Sequence, residues 1–221
     1  EKEGYRVAPV ILGGELIDGL AGGMCQIAST LHAAVFFVGL EVVRSMSHSR
    51  SSVYIPMGLD STVVYPSVDL KLRNFYDFPI VIHYVVNQGS VKVELLGKEL
   101  PYHTAFEREI LSETAFPTTT RPDPEMPAGQ KIVNQKNYPG YRIKRRRYLF
   151  TGKWKLDPKN KNRPKPDVLI AKKEWDISYP ATAQILRVGS GPPNLKKKEP
   201  PPSHRIPAIP AWAKPLFYIV K

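Results

Sequence analysis

One stretch, residues 24–38, limits the possible folds of this chain more than any other. Its apolar residues fall at Met24, Ile27, Ala28, Leu31, Ala34, Val35 and Val38, the spacing of one helix face, with no Gly or Pro inside. Gly22-Gly23 lets the chain turn sharply into the helix, and Gly39 supplies a stop. The apolar run 31–43 is too short to span a membrane and contains His32 and Glu41, so it reads as a core helix. Cys25, Ser29, His32 and Phe36 form a second, more polar face.

Strand-like runs surround this helix. Residues 1–21 read as an extended lead-in, with an apolar run at 7–12 before the turn signal Gly13-Gly14. Short strands are expected at 40–44, 53–55, 62–65 and 68–72, broken by Pro56-Met57-Gly58 and Pro66. Residues 78–87 and 90–96 read as a hairpin around Gln88-Gly89. The expected class is α+β, one buried helix packed on short, mostly antiparallel strands.

Charge and proline divide the chain near residue 100. The first hundred residues carry 8 Lys+Arg and 10 Asp+Glu, whereas the rest carry 24 and 10, with 18 of the 22 prolines. The expected organisation is a catalytic domain at 1–100, a connector at 101–135, a small β-rich module at 136–190 and an extended Pro/Lys-rich tail at 191–221. Strands in the module are expected at 141–150, 168–171 and 183–188. Glu1 is neither an initiator Met nor the start of a signal pattern, so any targeting signal is expected to lie outside this sequence.

The chain has one cysteine, which excludes an internal disulfide and a cysteine-based zinc cage; no metal or cofactor is expected. Cys25 falls in the first helical turn, where unpaired N–H groups and the helix dipole favour a thiolate and can also hold an oxyanion. A single cysteine on an apolar helix is also a common core filler. Five histidines are available as base. His32 lies two turns along the same helix, about 10 Å away by rise alone, too far for contact. His83 alternates within a strand, and His103 and His204 fall in the connector and tail. His48, in the polar loop Ser45-Met46-Ser47-His48-Ser49-Arg50, is the favoured base. Asp60 either orients that imidazole or is an ordinary turn aspartate. Arg50 and Tyr54 either bind a substrate carboxylate or peptide backbone, or make ordinary surface pairs.

These residues fall in a longer ordered pattern. Gly22-Gly23-Met24-Cys25-Gln26-Ile27-Ala28-Ser29-Thr30-Leu31, Gly39-Leu40-Glu41, His48-Ser49, Tyr54-Ile55-Pro56-Met57-Gly58-Leu59-Asp60-Ser61-Thr62-Val63, Asp69-Leu70-Lys71-Leu72-Arg73-Asn74 and Asp77-Phe78-Pro79-Ile80 together resemble the VanW-type domain, over residues 4–98. Pro139-Gly140-Tyr141-Arg142-Ile143 and Ile185-Leu186-Arg187-Val188-Gly189 resemble a G5-type module. The VanW resemblance implies a bacterial envelope protein, periplasmic or extracytoplasmic. It further implies L,D-transpeptidation on peptidoglycan stem peptides, with Cys25 as nucleophile, His48 on the family's recurrent histidine and Asp60 on its turn aspartate. Gly23, Gln26, Ser29 and Ser49 join Arg50 and Tyr54 as expected substrate-binding residues. The chain departs from the family pattern at Ala21 (usually a third glycine), at His32, and at Met46 (usually a second histidine).

Two further functional classes fit the basic second half. A non-catalytic module would grip peptidoglycan or anionic envelope polymers through Lys144-Arg145-Arg146-Arg147 and Lys196-Lys197-Lys198. Nucleic-acid binding would use the same runs, with Tyr141, Tyr148, Phe150 and Trp154 as stacking residues, but no RRM, KH or helix-turn-helix signature accompanies them, and nucleic acid is not expected as a partner. No transmembrane segment is expected.

Overall fold

A computed structural model describes residues 4–12, 15–87, 90–151, 155–157, 160–165 and 168–200. The turns expected at Gly13-Gly14 and Gln88-Gly89, Trp154, His204 and the tail from residue 201 lie outside the described residues. In chain order, β1 (Val7–Leu12) and β2 (Glu15–Leu20) pair as an antiparallel ribbon and lead into α1 (Met24–Phe37). Next come β3 (Glu41–Arg44) and its partner β4 (Lys71–Arg73), then the pair β5 (Val81–Asn87) and β6 (Ser90–Leu96).

The second half holds β7 (His103–Thr114), β8 (Thr118–Pro127), β9 (Lys131–Gln135), β10 (Gly140–Thr151), β11 (Lys155–Asp157), β12 (Asn160–Lys165), β13 (Val168–Tyr179) and β14 (Gln184–Gly191). Strands β13, β10 and β7 form one antiparallel sheet with β10 in the middle, and β8, β14 and β9 form another with β14 in the middle. The β14–β8 pairing is parallel and the β14–β9 pairing antiparallel.

This arrangement corrects the α+β expectation. Among the described residues one helix stands beside fourteen strands, so the fold is mostly β with a single enclosed helix. The miss came from residues 101–135 and 168–179, where Thr, Pro and charged residues obscure the period-2 pattern of a half-exposed strand. That stretch, expected as a connector, carries β7, β8 and β9. The strand expected at 53–55 is irregular loop, and the one at 62–65 is reduced to an isolated Val64–Val68 bridge.

Helix α1 ends as expected: Gly39 sits at φ 79, a left-handed conformation that favours glycine, after the Val38 N–H closes on Ala34 O at 3.1 Å. Its buried face does not follow the expected stripe. Ser29, His32 and Phe36, placed from spacing on the more polar side, are among its most buried residues. They are covered by the loop around residues 55–61 and by the β13–β10–β7 sheet, which lies far along the chain. Ala33 and Phe36 share one core with Ile55, Leu59 and Phe106, and Trp175 packs against it. Burying Phe36 alone contributes about 1.5–3 kcal/mol. The helix and the sheet of the second half therefore close on the same apolar cluster.

Strand β10 sorts the basic run by face. Ile143, Arg145 and Arg147 point inward and are buried. The Arg145 guanidinium lies 4.1 Å from the Trp175 ring centroid, and Arg147 lies 5.3 Å from that of Phe36. Arg147 donates to Leu40 O at 2.9 Å. On the outer face Arg146 bridges Glu107, Glu109 and Glu174 at 3.1, 2.6 and 2.8 Å. The expected polymer-gripping run is thus half interior and half neutralised; Lys198 is also paired, with Glu125 and Asp123. Among the described residues no helix is long and apolar enough to cross a membrane.

Candidate active site

The site begins at the turn into α1. Ala21 stands at φ 63, a left-handed conformation that costs a residue with a Cβ about 1–2 kcal/mol. The turn is closed by Met24 N–H on Ala21 O at 3.0 Å, and by the Gln26 and Ile27 N–H groups on Gly23 O at 3.1 and 3.3 Å. No side chain caps the helix. Among the described residues the Cys25 N–H has no acceptor, the usual state of a first-turn amide. A Cβ on Gly23 would meet nothing within 4 Å, so the space before the helix start is open. Cys25 is half-buried, with Sγ 3.6 Å from Val63 O.

The loop after β3 brings His48 to this sulfur. Its ring stands close enough to Cys25 for each to shift the other's acidity, and it hydrogen-bonds Asp60. The Nδ1–H donates to Asp60 Oδ2 at 2.9 Å, and the His48 backbone N–H donates to the same oxygen at 2.7 Å. This fixes the ring's orientation and leaves Nε2 unclaimed by the carboxylate. The Tyr54 hydroxyl lies 3.1 Å from Nε2. Cys25, His48 and Asp60, which the sequence nominated separately, meet here in one line.

Electrostatics favour the ionised forms along that line. Burial pushes the Cys25 thiol up, but the His48 ring outweighs it and holds the thiol below its ordinary range. Burial pulls His48 down, but Asp60 and then Cys25 raise it to about 9. Burial raises Asp60, but His48 and Tyr179 hold it below the usual carboxylate range. Each partner thus favours the ionised form of the other.

Two residues from the second half complete the site, and sequence reasoning missed both. Tyr179, at the end of β13 and 1% exposed, donates its hydroxyl proton to Asp60 Oδ1 and accepts the Gly58 N–H at 2.7 Å. Arg145 donates to Gly58 O at 2.7 Å. Gly58 sits at φ 89, and a Cβ there would approach Arg145 Cδ and Ile143 Cδ1 at 3.3 Å. The 56–60 turn is thus held from the β10–β13 face. No local motif marks Tyr179 or Arg145; their roles exist only through contacts 121 and 87 residues long.

The remaining expected residues separate. Ser29 is fully buried and ties the helix to the loop: it donates to Ser61 O at 3.1 Å and accepts the Ser61 N–H at 2.9 Å. Gln26 is half-buried and Ser49 exposed. Arg50 is buried, with its guanidinium 4.3 Å from the Tyr138 ring centroid. His32 is a packed histidine, as its distance along the helix implied. Burial pushes it down to about 4, and its neutral ring donates Nδ1–H to Leu59 O at 2.7 Å. His83 pairs with Glu94 on β6 at 3.1 Å.

Comparison with known proteins agrees with the resemblance read from the sequence. Residues 1–96 match the family described as VanW like protein. Over 98 residues the chain is 41% identical to the uncharacterized protein YoaR of Bacillus subtilis (strain 168), a match covering 44% of this chain and 32% of that protein. The chain therefore spans about a third of that relative. Among solved structures, the G5 domain of an IgA1 protease matches 41% of this chain and 93% of its own, at 13% identity and a TM-score of 0.24.

Proposed function

We propose that the VanW domain of this chain, residues 1–96, is a cysteine acyltransferase acting on peptidoglycan stem peptides in the bacterial cell envelope. The observation that carries this reading is Cys25 at an uncapped helix start beside a His48 ring that Asp60 orients. The comparisons support a cell-wall-related role and go no further.

In the proposed reaction the Cys25 thiolate attacks the carbonyl between an L-configured centre and a terminal D-residue. The negative oxygen is received by the free Cys25 N–H. As the C–N bond breaks, the His48 imidazolium gives its Nε2 proton to the departing amine, leaving a thioester. The amine of a second stem then attacks the thioester, His48 takes a proton from it, and the thiolate is released. Two stems so joined form a 3-3 cross-link; a free D-amino acid as acceptor exchanges the terminal residue, and water makes the enzyme an L,D-carboxypeptidase.

The test is incubation of the protein with purified wall fragments, with products read by mass. The expected result is cross-linked or exchanged products that disappear in Cys25→Ala and His48→Ala. The second reading, a non-catalytic module that binds peptidoglycan or an envelope polymer, is favoured by the wall association that the comparisons support without any chemistry. It predicts retention on insoluble wall by wild type and Cys25→Ala alike, with no change in fragment masses. The closed pairing of Arg146 and the burial of Arg145 and Arg147 take the first basic run out of that surface and leave exposed Lys196 and Lys197 to supply it.

A further inference from the structure

Arg50 lies on the same loop as His48, two residues later, with exposed Ser49 between them and Tyr54, whose hydroxyl meets the His48 ring, four residues on. It is 8% exposed. Every other buried arginine among the described residues donates a hydrogen bond: Arg145 to Gly58 O and Arg147 to Leu40 O. Arg50 donates none and has no carboxylate in ion-pair range among the described residues. Its one polar neighbour is the face of Tyr138, a residue of the second half held in place by reciprocal backbone bonds with Thr182 at 3.2 and 2.8 Å. None of the Arg50 nitrogens is both buried and unpartnered, so the guanidinium keeps an open edge to solvent while the rest of the side chain is covered; a single aromatic face offsets only part of the cost of that covering. A guanidinium seated on an aromatic face at 4.3 Å still has its N–H edge available for bidentate binding of a carboxylate.

We propose that Arg50, seated on Tyr138, is the carboxylate-recognition residue of the acyl-donor site. It selects donor peptides that carry a free carboxylate near the scissile bond. This rests on the acyl-transfer reading above and adds a substrate feature to it. Two carboxylates of a stem tetrapeptide offer the required chemistry: the terminal one on the departing D-residue and the α-carboxylate of a γ-linked glutamate.

The experiment uses four synthetic tetrapeptides, with acid or amide at the C-terminus and acid or amide at the glutamate α-position. Binding to the full chain carrying Cys25→Ala is measured by calorimetry, independently of turnover. The expected result is that one acid-to-amide change weakens binding about tenfold, the effect of losing a charge-assisted pair. In Cys25→Ala/Arg50→Gln that preference falls to within about twofold, and in Cys25→Ala/Arg50→Lys it returns in part. The position at which amidation matters identifies the carboxylate. Equal binding of all four peptides to the Cys25→Ala chain overturns the proposal, as does a preference that survives Arg50→Gln. Iodoacetamide labelling of Cys25 at the wild-type rate in the single variant Arg50→Gln reports an intact fold; should Arg50→Gln fail to fold, Arg50→Lys and Tyr138→Ala decide, each expected to reduce the preference. Release of the terminal residue from the preferred peptide by wild type is scored separately. Preference in binding without release leaves Arg50 in its role and removes acyl transfer, whereas release without preference does the reverse.

Discussion

Tyr179 and Asp60 stand 119 residues apart in the chain and share a hydrogen bond in its interior, the phenol donating to the carboxylate oxygen that His48 does not use. Each Asp60 oxygen thus has its own side-chain donor, one from the loop of the first half and one from the end of β13.

Tyr179→Phe removes that donor and leaves the rest of the ring in its packing. The expected cost is about 1–3 kcal/mol, since a buried carboxylate oxygen keeps only the longer Gly58 N–H bond. Urea unfolding measures this loss. Alkylation of Cys25 at neutral pH is expected to slow as well, because a less firmly ionised Asp60 supports the imidazolium less.

Reactivity should follow the two shifted groups. Iodoacetamide labelling of Cys25 is expected to persist below the pH at which a free thiol loses it, falling only as the thiolate is protonated. Turnover should also fall near pH 9, where the His48 imidazolium loses the proton meant for the departing amine. Stability carries matching signs. The contribution from His48, whose basicity is raised on folding, is full below the ordinary imidazole range and is lost as pH rises through about 9. The contribution from Cys25, whose acidity is raised, is full above the ordinary thiol range and lost as pH falls through its depressed value. In Asp60→Asn the alkaline limb of turnover should move to lower pH. A profile identical to that of a free cysteine in wild type would sink the ion pair.

Two backbone positions should respond in opposite directions. Ala21→Gly relieves a left-handed alanine, and a gain of about 1 kcal/mol is expected in thermal unfolding. Gly58→Ala places a methyl at positive φ against Arg145 and Ile143, with a loss of about 1–2 kcal/mol or more and slower labelling of Cys25.

On the outer face of β10, Arg146→Met leaves Glu107, Glu109 and Glu174 crowded without their shared cation. The melting temperature is expected to drop, and to recover in part when Glu174→Gln is added. A full additive loss in the double variant would mean the network does not act as a unit.

Local features were legible where one element carries its own signal. Residues 24–38 read as a helix because period, glycine turn and glycine stop agree, and Cys25 and His48 stood out because few residue types can serve as nucleophile and base. The helix's deeper side was not, because what buries Ser29, His32 and Phe36 is a sheet built from residues beyond 100. Arg145 and Arg147 read as surface charge for the same reason: a run of four basic residues conceals a strand alternation whose inner members rest on Phe36 and Trp175. Tyr179 carries no motif, so nothing short of the fold reveals it.

The late position of Tyr179 and Arg145 sets an order in time. A ribosome delivers the first hundred residues well before either one emerges, and pairings of this sequence span are slow to form. Until they do, the turn that carries Asp60 lacks its anchors from β10 and β13, so the carboxylate that orients His48 is fixed only after the later strands have closed on it.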